Sequence, residues 1–224
     1  FELGAKWGAL IRSLEEFAAQ CVGMNVTYMD FPNVGVTAAV DSKTNLICTL
    51  LHDRADMSEL GALIATEILE TFKETFRDKD FSSSVVKGTM YSSFSYKLYD
   101  CINNTLRSII LKLQQQKGIY ASLLVFDDGT EAIAEGELND TLSVLANFQA
   151  LQTIADQTLG LKREETSYMS LEMPKTLVIV HRIGTAASLV NICKKSVSKK
   201  LYLPKIENSV LLLNKVFQFL NFYQ

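Results

Sequence analysis

The sequence predicts an α/β protein of the α+β type, made of two units in which an antiparallel five-stranded sheet is flanked by helices. Three observations lead to this prediction. Apolar residues recur at helical spacing in some segments and alternate or run together in others. The two kinds of segment follow each other in an order that occurs twice. The composition, 48% hydrophobic and 21% charged over 224 residues, is that of an ordinary globular protein.

The charge and the cysteine content narrow the possible functions. The net charge is −3 and the pI about 5.5, so the chain has no basic field that would attract nucleic acid. Its two histidines and four cysteines lack the spacing of a zinc site, and no glycine-rich phosphate loop occurs. We therefore expect no metal, nucleotide or other cofactor. Cys48 and Cys193 lie in apolar runs, as free core cysteines do, which indicates a reducing compartment.

The first unit begins with an amphipathic helix over residues 5–22, and Gly23 follows it as a C-cap. Its apolar stripe consists of Trp7, Leu10, Ile11, Leu14, Phe17, Ala18 and Cys21. Three strands of an antiparallel meander are predicted at 24–31, 34–40 and 46–51. A second helix follows, for which Asp56 and Glu59 predict a capping box.

The second unit contains a helix, a hairpin, another helix, three strands and a last helix. Asp127-Asp128-Gly129 predicts the hairpin turn, and Pro204 predicts the first turn of the last helix. The middle helix is expected from Asn139 or Asp140 to about Leu159. The other segments are a helix at 94–117 and strands at 119–126, 130–135, 166–173, 176–182 and 187–194.

The domain organisation follows from a repeat. A helix that ends in glycine (Gly23, Gly160), three strands and a helix occur in both halves, but only the second copy has a preceding hairpin. Either residues before Phe1 are missing, or another chain supplies those strands. Because the chain opens on a helical pattern without Met, we expect a fragment or the ordered part of something longer. The predicted boundaries are a unit at 1–80, a linker at 81–90 and a unit at 91–224.

Two polar constellations are candidates for a catalytic site. His52-Asp53-Arg54 with Asp56 is either a metal or catalytic site or a solvated strand-to-helix loop, and the lone histidine favours the loop. His181 and Cys193 could meet across adjacent strands, but no oxyanion-hole motif accompanies them. The sequence therefore predicts no catalytic residue and no enzymatic activity.

Basic and aromatic residues are the candidates for partner binding. The lysines suit an acidic partner or an anionic membrane, with a solvated loop as the alternative. The aromatic side chains suit a partner surface, with ordinary core packing as the alternative. The predicted binding residues are Trp7, Lys194, Lys195, Lys199, Lys200, Phe219, Phe222 and Tyr223.

The stretch GIYASLLVFDDGTEAIAEG (118–136) looks like the opening hairpin of a roadblock domain. Residues 36–76, in which a last strand runs into a helix, look like the end of a longin or roadblock unit. With the order α-ββ-α-βββ-α of the second copy, these segments resemble the roadblock and longin superfamily.

The resemblance implies a non-catalytic scaffold or guanine-nucleotide exchange-factor component that acts on a small GTPase in membrane trafficking, ciliary or lysosomal signalling. The implied partners are other longin or roadblock subunits and a small GTPase, with a membrane surface as a further candidate. The implied location is the cytoplasm, peripheral on endomembranes. The alternative function is small-molecule sensing by an α/β domain of profilin- or PAS-like shape.

Overall fold

The computed structural model describes residues 2–79, 88–126, 132–136, 168–184 and 187–222. The chain divides into two compact units, Phe1–Thr105 and Leu106–Gln224. Within the described residues, each unit contains one antiparallel sheet, with three strands in the first unit and five in the second, which confirms the predicted α+β class. The assignment of 1–80 and 91–224 as separate longin or roadblock units, joined by a linker at 81–90, stays a prediction.

The first unit follows the predicted order of elements. They are α1 (Glu2–Val22), β1 (Tyr28–Asp30), β2 (Val34–Asp41), β3 (Leu46–Asp53) and α2 (Ser58–Thr75). The strands form the meander β1-β2-β3. Gly23 ends α1 as predicted, with a φ of 67° and its N–H donating to the Ala19 carbonyl. The predicted strand 24–31 is too long, since the ladder between β1 and β2 covers only residues 28–30.

The start of α2 differs from the predicted capping box. The N-cap is Met57 instead of Asp56, and no side chain caps the helix. The backbone N–H of Asp56 donates to the Asp53 carbonyl at 3.0 Å. Asp56 therefore belongs to the turn that follows β3, one position too early to cap α2.

Helix α2 packs closely against the sheet through a glycine. A Cβ atom on Gly61 would lie 2.5 Å from Thr37 Oγ1 and 2.8 Å from His52 Nε2. Thr37 and His52 lie on the same face of neighbouring strands. Val40 and Ile47 face α1, and they lie on the other face of the two strands from Thr37 and His52, because neighbouring residues of a strand point to opposite faces. Helices α1 and α2 therefore cover opposite faces of the sheet.

The predicted helix 94–117 is two helices. A 3₁₀ helix (Gly88–Lys97) leads into α3 (Leu98–Gln114). Serine, threonine, glycine and tyrosine dominate the first segment and are weak α-helix formers. Tyr91 and Phe94, three residues apart and thus aligned in a 3₁₀ helix, both lie 5.1 Å from the Phe72 ring. This aromatic contact favours the tighter helix.

The second unit contains the five-stranded sheet, in the order β5-β4-β8-β7-β6. Its elements are β4 (Ile119–Phe126), β5 (Ala132–Gly136), β6 (Tyr168–Glu172), β7 (Thr176–Ile183), β8 (Ala187–Lys194) and α4 (Lys199–Phe222). The pairing of β4 with β5 confirms the predicted hairpin. Its turn at 127–129, the predicted helix from 139 or 140 to 159, and Gly160 lie outside the described residues.

The central strands of this sheet are buried on both faces. Seven of the eight residues of β8 are buried. One face carries the apolar cluster Ala121, Leu123, Val125, Val178, Val180, Val190 and Ile192. On the other face, Ser122 Oγ donates a hydrogen bond to Asn191 Oδ1 at 2.8 Å, and both residues are fully buried. β4 and β8 are thus joined by a buried polar contact as well as by their backbones.

Pro204 does not open the last helix. Helix α4 begins at Lys199, so Pro204 lies inside it and removes the N–H that would pair with the Lys200 carbonyl. Tyr202 and Ile206, four residues apart, are both fully buried. Burial of Tyr202 extends the helix toward its N-terminus past the proline. No helix in the described part of the chain is long and apolar enough to cross a membrane.

Lys73 of α2 holds the end of β2. Its Nζ lies 2.9 Å from Asp41 Oδ2, and Thr44 Oγ1 and the Lys43 N–H also donate to this carboxylate. Hydrogen bonds, first that of Lys73, lower the pKa of Asp41 from 3.8 to about 2.

We predict that Asp41 contributes an acid-sensitive part of the stability. Because its pKa is lower in the folded state, the contribution is complete above about pH 4 and is lost as the pH falls through about 2. The variant D41N removes this part of the pH dependence in unfolding curves followed by circular dichroism between pH 2 and 5. The control D78N, at a carboxylate that is 93% exposed, keeps it. An unchanged slope in D41N would contradict the prediction.

Candidate interaction surfaces

The polar cluster around His52 is used to hold the first sheet together. His52 Nδ1 lies 2.9 Å from the Asp53 carbonyl oxygen, which can only accept, so Nδ1 carries the proton. Nε2 therefore accepts from Thr37 Oγ1 at 2.9 Å. Arg54 pairs with Asp30 at 2.9 Å. Both ring nitrogens of His52 have structural partners, and His52 lies in β3 instead of in the expected loop.

His181 and Cys193, which the sequence analysis did not favour as a catalytic pair, do not meet across β7 and β8. Cys193 lies opposite Leu177, whereas His181 lies opposite Leu189. The four-residue offset corresponds to about 13 Å along the strands. Burial also raises the pKa of the Cys193 thiol to about 12, which disfavours the nucleophilic thiolate. Within the described ranges, no group of three His, Cys, Asp or Glu residues could hold a metal ion.

His181 gives a second pH-dependent prediction. Burial lowers its pKa from the ordinary 6.5, against an opposing effect of Glu207, and its ring packs edge-on against Tyr168 at 4.8 Å. The folded state holds the proton less tightly than the unfolded state, so the free energy of unfolding decreases as the pH falls below about 6.5. The variant H181F keeps the ring contact. In urea unfolding between pH 5 and 8 it should flatten this dependence, and an unflattened profile would refute the assignment.

Helix α1 turns a row of apolar side chains away from the sheet. Ile11 is buried, but Leu10, Leu14 and Phe17 are 47%, 37% and 64% exposed. On the sheet side, Glu15 is buried and accepts from the Val26 N–H at 2.6 Å. The predicted single core stripe is therefore split between a buried and an exposed side. We name Leu10, Leu14 and Phe17 the α1 face.

The predicted aromatic binding residues differ in their surroundings. Trp7 is half-buried and packs edge-on against Phe31, with ring centroids 5.7 Å apart. Phe219 is half-buried on α4, next to the more deeply buried Phe217. The side chain of Phe222 and all of Tyr223 lie outside the described residues. Trp7 thus already has a packing partner in its own unit.

Two of the predicted lysines, Lys194 and Lys195, lie at one end of the five-stranded sheet and line a surface groove of about 490 Å³. Lys194 Nζ lies 4.4 Å from the centre of the Tyr120 ring, and Lys195 pairs with Glu172 at 3.1 Å. Lys199 and Lys200 are exposed at the start of α4. The groove is lined by Tyr120, Pro174, Lys175, Lys194, Lys195 and Ser196.

Sequence reasoning did not find Tyr120 and Lys175. They join the lysines only through strand pairing, since Thr176 lies opposite Lys194 and the Lys195 N–H donates to the Lys175 carbonyl. Their proximity to the lysines depends on the register of the strands, which places the start of β7 beside the end of β8 and is not visible in local sequence spacing.

The outer side of β3 is a third surface. β3 pairs with β2 on one side, and no described strand pairs with its other side. Its sequence, LICTLLHD, is strongly apolar, yet none of its eight residues is buried. Leu51 is 46% exposed. A long apolar strand without a second partner is a surface on which another strand can add.

The fold and these surfaces define a two-unit α+β protein that presents an apolar helix face, a basic groove and an open strand edge. No protein-family model matches the chain, and no curated protein matches it.

Among solved structures, the chain is similar to MglB of Myxococcus xanthus, with 20% identity over 51% of this chain and 89% of that one, at a TM-score of 0.47. It is similar to a Roadblock/LC7 domain of Streptomyces avermitilis, with 16% identity over 51% and 96%, at 0.43. It is also similar to MglC of Myxococcus xanthus, with 18% identity over 49% and 97%, at 0.38. These likenesses concern the fold alone.

Proposed function

We propose that this chain is a non-catalytic interaction subunit of a multi-protein complex, and that a small GTPase is among its partners. The α1 face carries the proposal. Three large apolar side chains at positions i, i+4 and i+7 are exposed on one helix, whereas Ile11 and Glu15 of the same helix are buried. Contiguous apolar surface of this kind marks a binding site in soluble proteins.

The partner at the α1 face is another longin or roadblock subunit that contributes a helix. The spacing of Leu10, Leu14 and Phe17 follows one side of an α-helix, and a second amphipathic helix can cover it along its whole length. Full burial of a Leu or Phe side chain contributes about 1.5–3 kcal/mol. Three such side chains would therefore supply a large part of a stable interface, after the cost of association is subtracted.

We propose a small GTPase as a partner because the sequence resembles the roadblock and longin superfamily. In this proposal the chain is a scaffold or guanine-nucleotide exchange-factor component in membrane trafficking, ciliary or lysosomal signalling. The basic residues at the end of the second sheet face an acidic partner or an anionic membrane, and the protein is cytoplasmic and peripheral on endomembranes. The residues assigned to partner contacts are Trp7, Lys194, Lys195, Lys199, Lys200, Phe219, Phe222 and Tyr223.

The alternative of small-molecule sensing has less support. A cavity of about 250 Å³ lies between α1 and the end of the β2–β3 hairpin, below the 300–1,000 Å³ that is usual for small-molecule sites. Arg12, Glu15 and Glu16 line it, and Arg12 already pairs with Glu16 at 3.1 Å. A cleft of this size, with three charged side chains in its lining, gives little support to a small-molecule site.

The test is affinity purification of the tagged chain from cells, with quantitative mass spectrometry. The wild-type chain is expected to recover a fixed set of subunits that includes a small GTPase. The double variant L14E/F17E should lose these subunits at least tenfold, because two carboxylates cannot be buried in an apolar interface. The matched control L211E, at a leucine of α4 that is 57% exposed, should keep them. Recovery of no partner, with a monomeric wild-type chain, would exclude the proposal.

A further inference from the structure

We propose that the basic groove at the end of the second sheet binds an acidic peptide segment of a partner protein. Carboxylates of this segment pair with the lysines of the groove, and an apolar side chain between them packs against Tyr120 and Pro174. This inference rests on the proposed role as an interaction subunit, and it names the chemistry that one partner brings. The groove lies in the second unit and the α1 face in the first, so the two surfaces can be tested separately.

The groove is held in shape by backbone hydrogen bonds. The N–H of Lys195, in the turn between β8 and α4, donates to the carbonyl of Lys175, in the turn between β6 and β7, at 3.1 Å. The N–H of Lys194 donates to the carbonyl of Gly118, just before β4, at 2.7 Å. Three segments of the chain are thus fixed side by side. A ligand therefore meets a formed site, and little ordering of the backbone opposes binding.

Positive charge is concentrated in the groove. Lys175, Lys194 and Lys195 line it. Glu172 pairs with Lys195 at 3.1 Å, and the hydrogen bond from Lys195, followed by the charges of Lys195 and Lys199, lowers the pKa of Glu172. This carboxylate neutralises one lysine, so the groove keeps a positive charge. Such a surface attracts a negatively charged partner and guides its approach.

The first turn of α4 adds to the positive charge. Helices favour Asp or Glu in this turn, because the helix N-terminus carries a partial positive charge. Helix α4 instead has Lys199 and Lys200 there and no acidic residue. The repulsion costs stability in the isolated chain and is relieved when carboxylates bind beside it. The lysines of the groove and of α4 therefore favour the same kind of partner.

Tyr120 and Pro174 give the groove an apolar wall. Tyr120 is half-buried and lies where the pairing of β4 with β8 is irregular, between Ile119 and Ala121. Irregularities of this kind re-aim a side chain and are frequent at binding sites. Lys194 Nζ lies 4.4 Å from the centre of the Tyr120 ring. Because charged and apolar groups alternate in the lining, an apolar side chain flanked by carboxylates is complementary to it.

An extended peptide suits this surface better than a lipid bilayer. Lysines that bind anionic lipids extend their side chains toward a flat surface. Here Lys194 is held over Tyr120, Lys195 is held by Glu172, and the space beside them is a recess of about 490 Å³. Four of its six lining residues are exposed, so the recess is open to solvent. A loop or a chain end can enter it, whereas a bilayer cannot.

Fluorescence polarisation with a labelled peptide tests the inference. The probe peptide has glutamates on both sides of one leucine, and the control peptide has glutamines in place of the glutamates. The wild-type chain is expected to bind the probe about tenfold or more tightly than the control peptide. Added salt should weaken the binding of the probe, because the lysines are exposed to solvent.

Charge-reversal variants locate the binding. K175E/K194E should bind the probe about tenfold or more weakly than the wild type, because like charges would then face each other. The matched control K112E/K205E makes the same change of net charge at exposed lysines of α3 and α4, outside the groove, and should bind like the wild type. Circular dichroism checks that both variants are folded.

Variants of Tyr120 test the apolar wall. A probe with glycine in place of leucine should bind the wild type more weakly than the leucine probe does. Y120A should lose this preference for leucine, and Y120F, which keeps the ring, should retain it. Equal binding of both probes by the wild type would contradict the packing of an apolar side chain on Tyr120.

Three results would overturn the inference. The first is equal binding of the acidic probe and the glutamine control by the wild type. The second is binding that K175E/K194E and K112E/K205E weaken to the same extent, which would show an effect of net charge alone. The third is sedimentation of the chain with vesicles of phosphatidylcholine and phosphatidylserine, abolished in K175E/K194E, while the acidic probe is not bound. That result would assign the lysines to a membrane.

Failure of the inference can be told apart from failure of the proposed function. If the probe is not bound and K175E/K194E still recovers the co-purified subunits, the inference is wrong and the proposed function stands. If the wild type recovers no subunit but binds the probe through Lys175 and Lys194, the proposed function is wrong, while the groove does bind an acidic segment.

Discussion

Replacing Gly61 with leucine is expected to unfold the first sheet and to leave the second one protected. The Cβ atom alone would lie within 3 Å of Thr37 and His52, and the Thr37 side chain is buried and cannot move away. Overpacking of this kind costs about 1–3 kcal/mol for added methylenes, and a whole leucine side chain at a helix–sheet contact belongs at the upper end or beyond. Such a loss is a large fraction of the stability of a small domain.

Hydrogen exchange measured peptide by peptide checks this prediction. In G61L the amides of β2 and β3 should exchange much faster, while those of β7 and β8 stay slow. G8L is the matched control, because no atom lies within 4 Å of a Cβ at Gly8, and leucine is a better helix former than glycine by up to about 1 kcal/mol. If G61L behaved like G8L, the close approach of α2 to the sheet would be disproved.

The second large effect is expected at the Ser122–Asn191 contact. N191A removes the partner of a fully buried hydroxyl and leaves a cavity, so we expect a loss of about 2–4 kcal/mol in the free energy of unfolding. Chemical denaturation of the purified chain measures it. The exposed substitution L211A in the same unit should cost much less.

A double variant separates the hydrogen bond from the loss of volume. S122A/N191L replaces both partners with apolar side chains, so the hydroxyl and the amide are removed together and neither leaves the other unpaired. It should recover most of the stability lost in N191A and therefore show strong non-additivity with the single variants. Additive losses would mean that the two side chains do not interact.

Hydrophobic periodicity and turn residues were sufficient to predict the bounds of those elements whose ends are marked by particular residues in the sequence. β4 and β8 have their predicted bounds, because apolar runs there meet Gly118 and the lysines after Cys193. The predicted start of α4 at Pro204 was wrong, since the burial of Tyr202 outweighed the preference of proline for the first turn of a helix. The 3₁₀ helix was missed because its aromatic residues, spaced by three, also fit an α-helical pattern.

The surfaces were harder to predict than the elements. The sequence placed the apolar residues of α1 in one core stripe, but the structure divides them between a buried and an exposed side. Glu15 takes a buried place there by accepting the Val26 N–H, and Leu14 and Phe17 point away. The basic groove likewise depends on the register of β7 and β8, which brings Lys175 to Lys194 and is not encoded in local spacing.

The pairing of β4 with β8 has a consequence for synthesis on the ribosome. Ser122 and Asn191 are separated by 69 residues in the sequence. During translation, β4 is therefore complete well before β8, the strand with which it pairs, has been synthesised. At about 5–20 residues per second, the wait is roughly 3–14 s. During that time the nascent hairpin exposes one apolar edge and both of its faces. The second unit should therefore be a client of ribosome-associated chaperones, and synonymous codon changes between these two strands should alter its yield of folded protein.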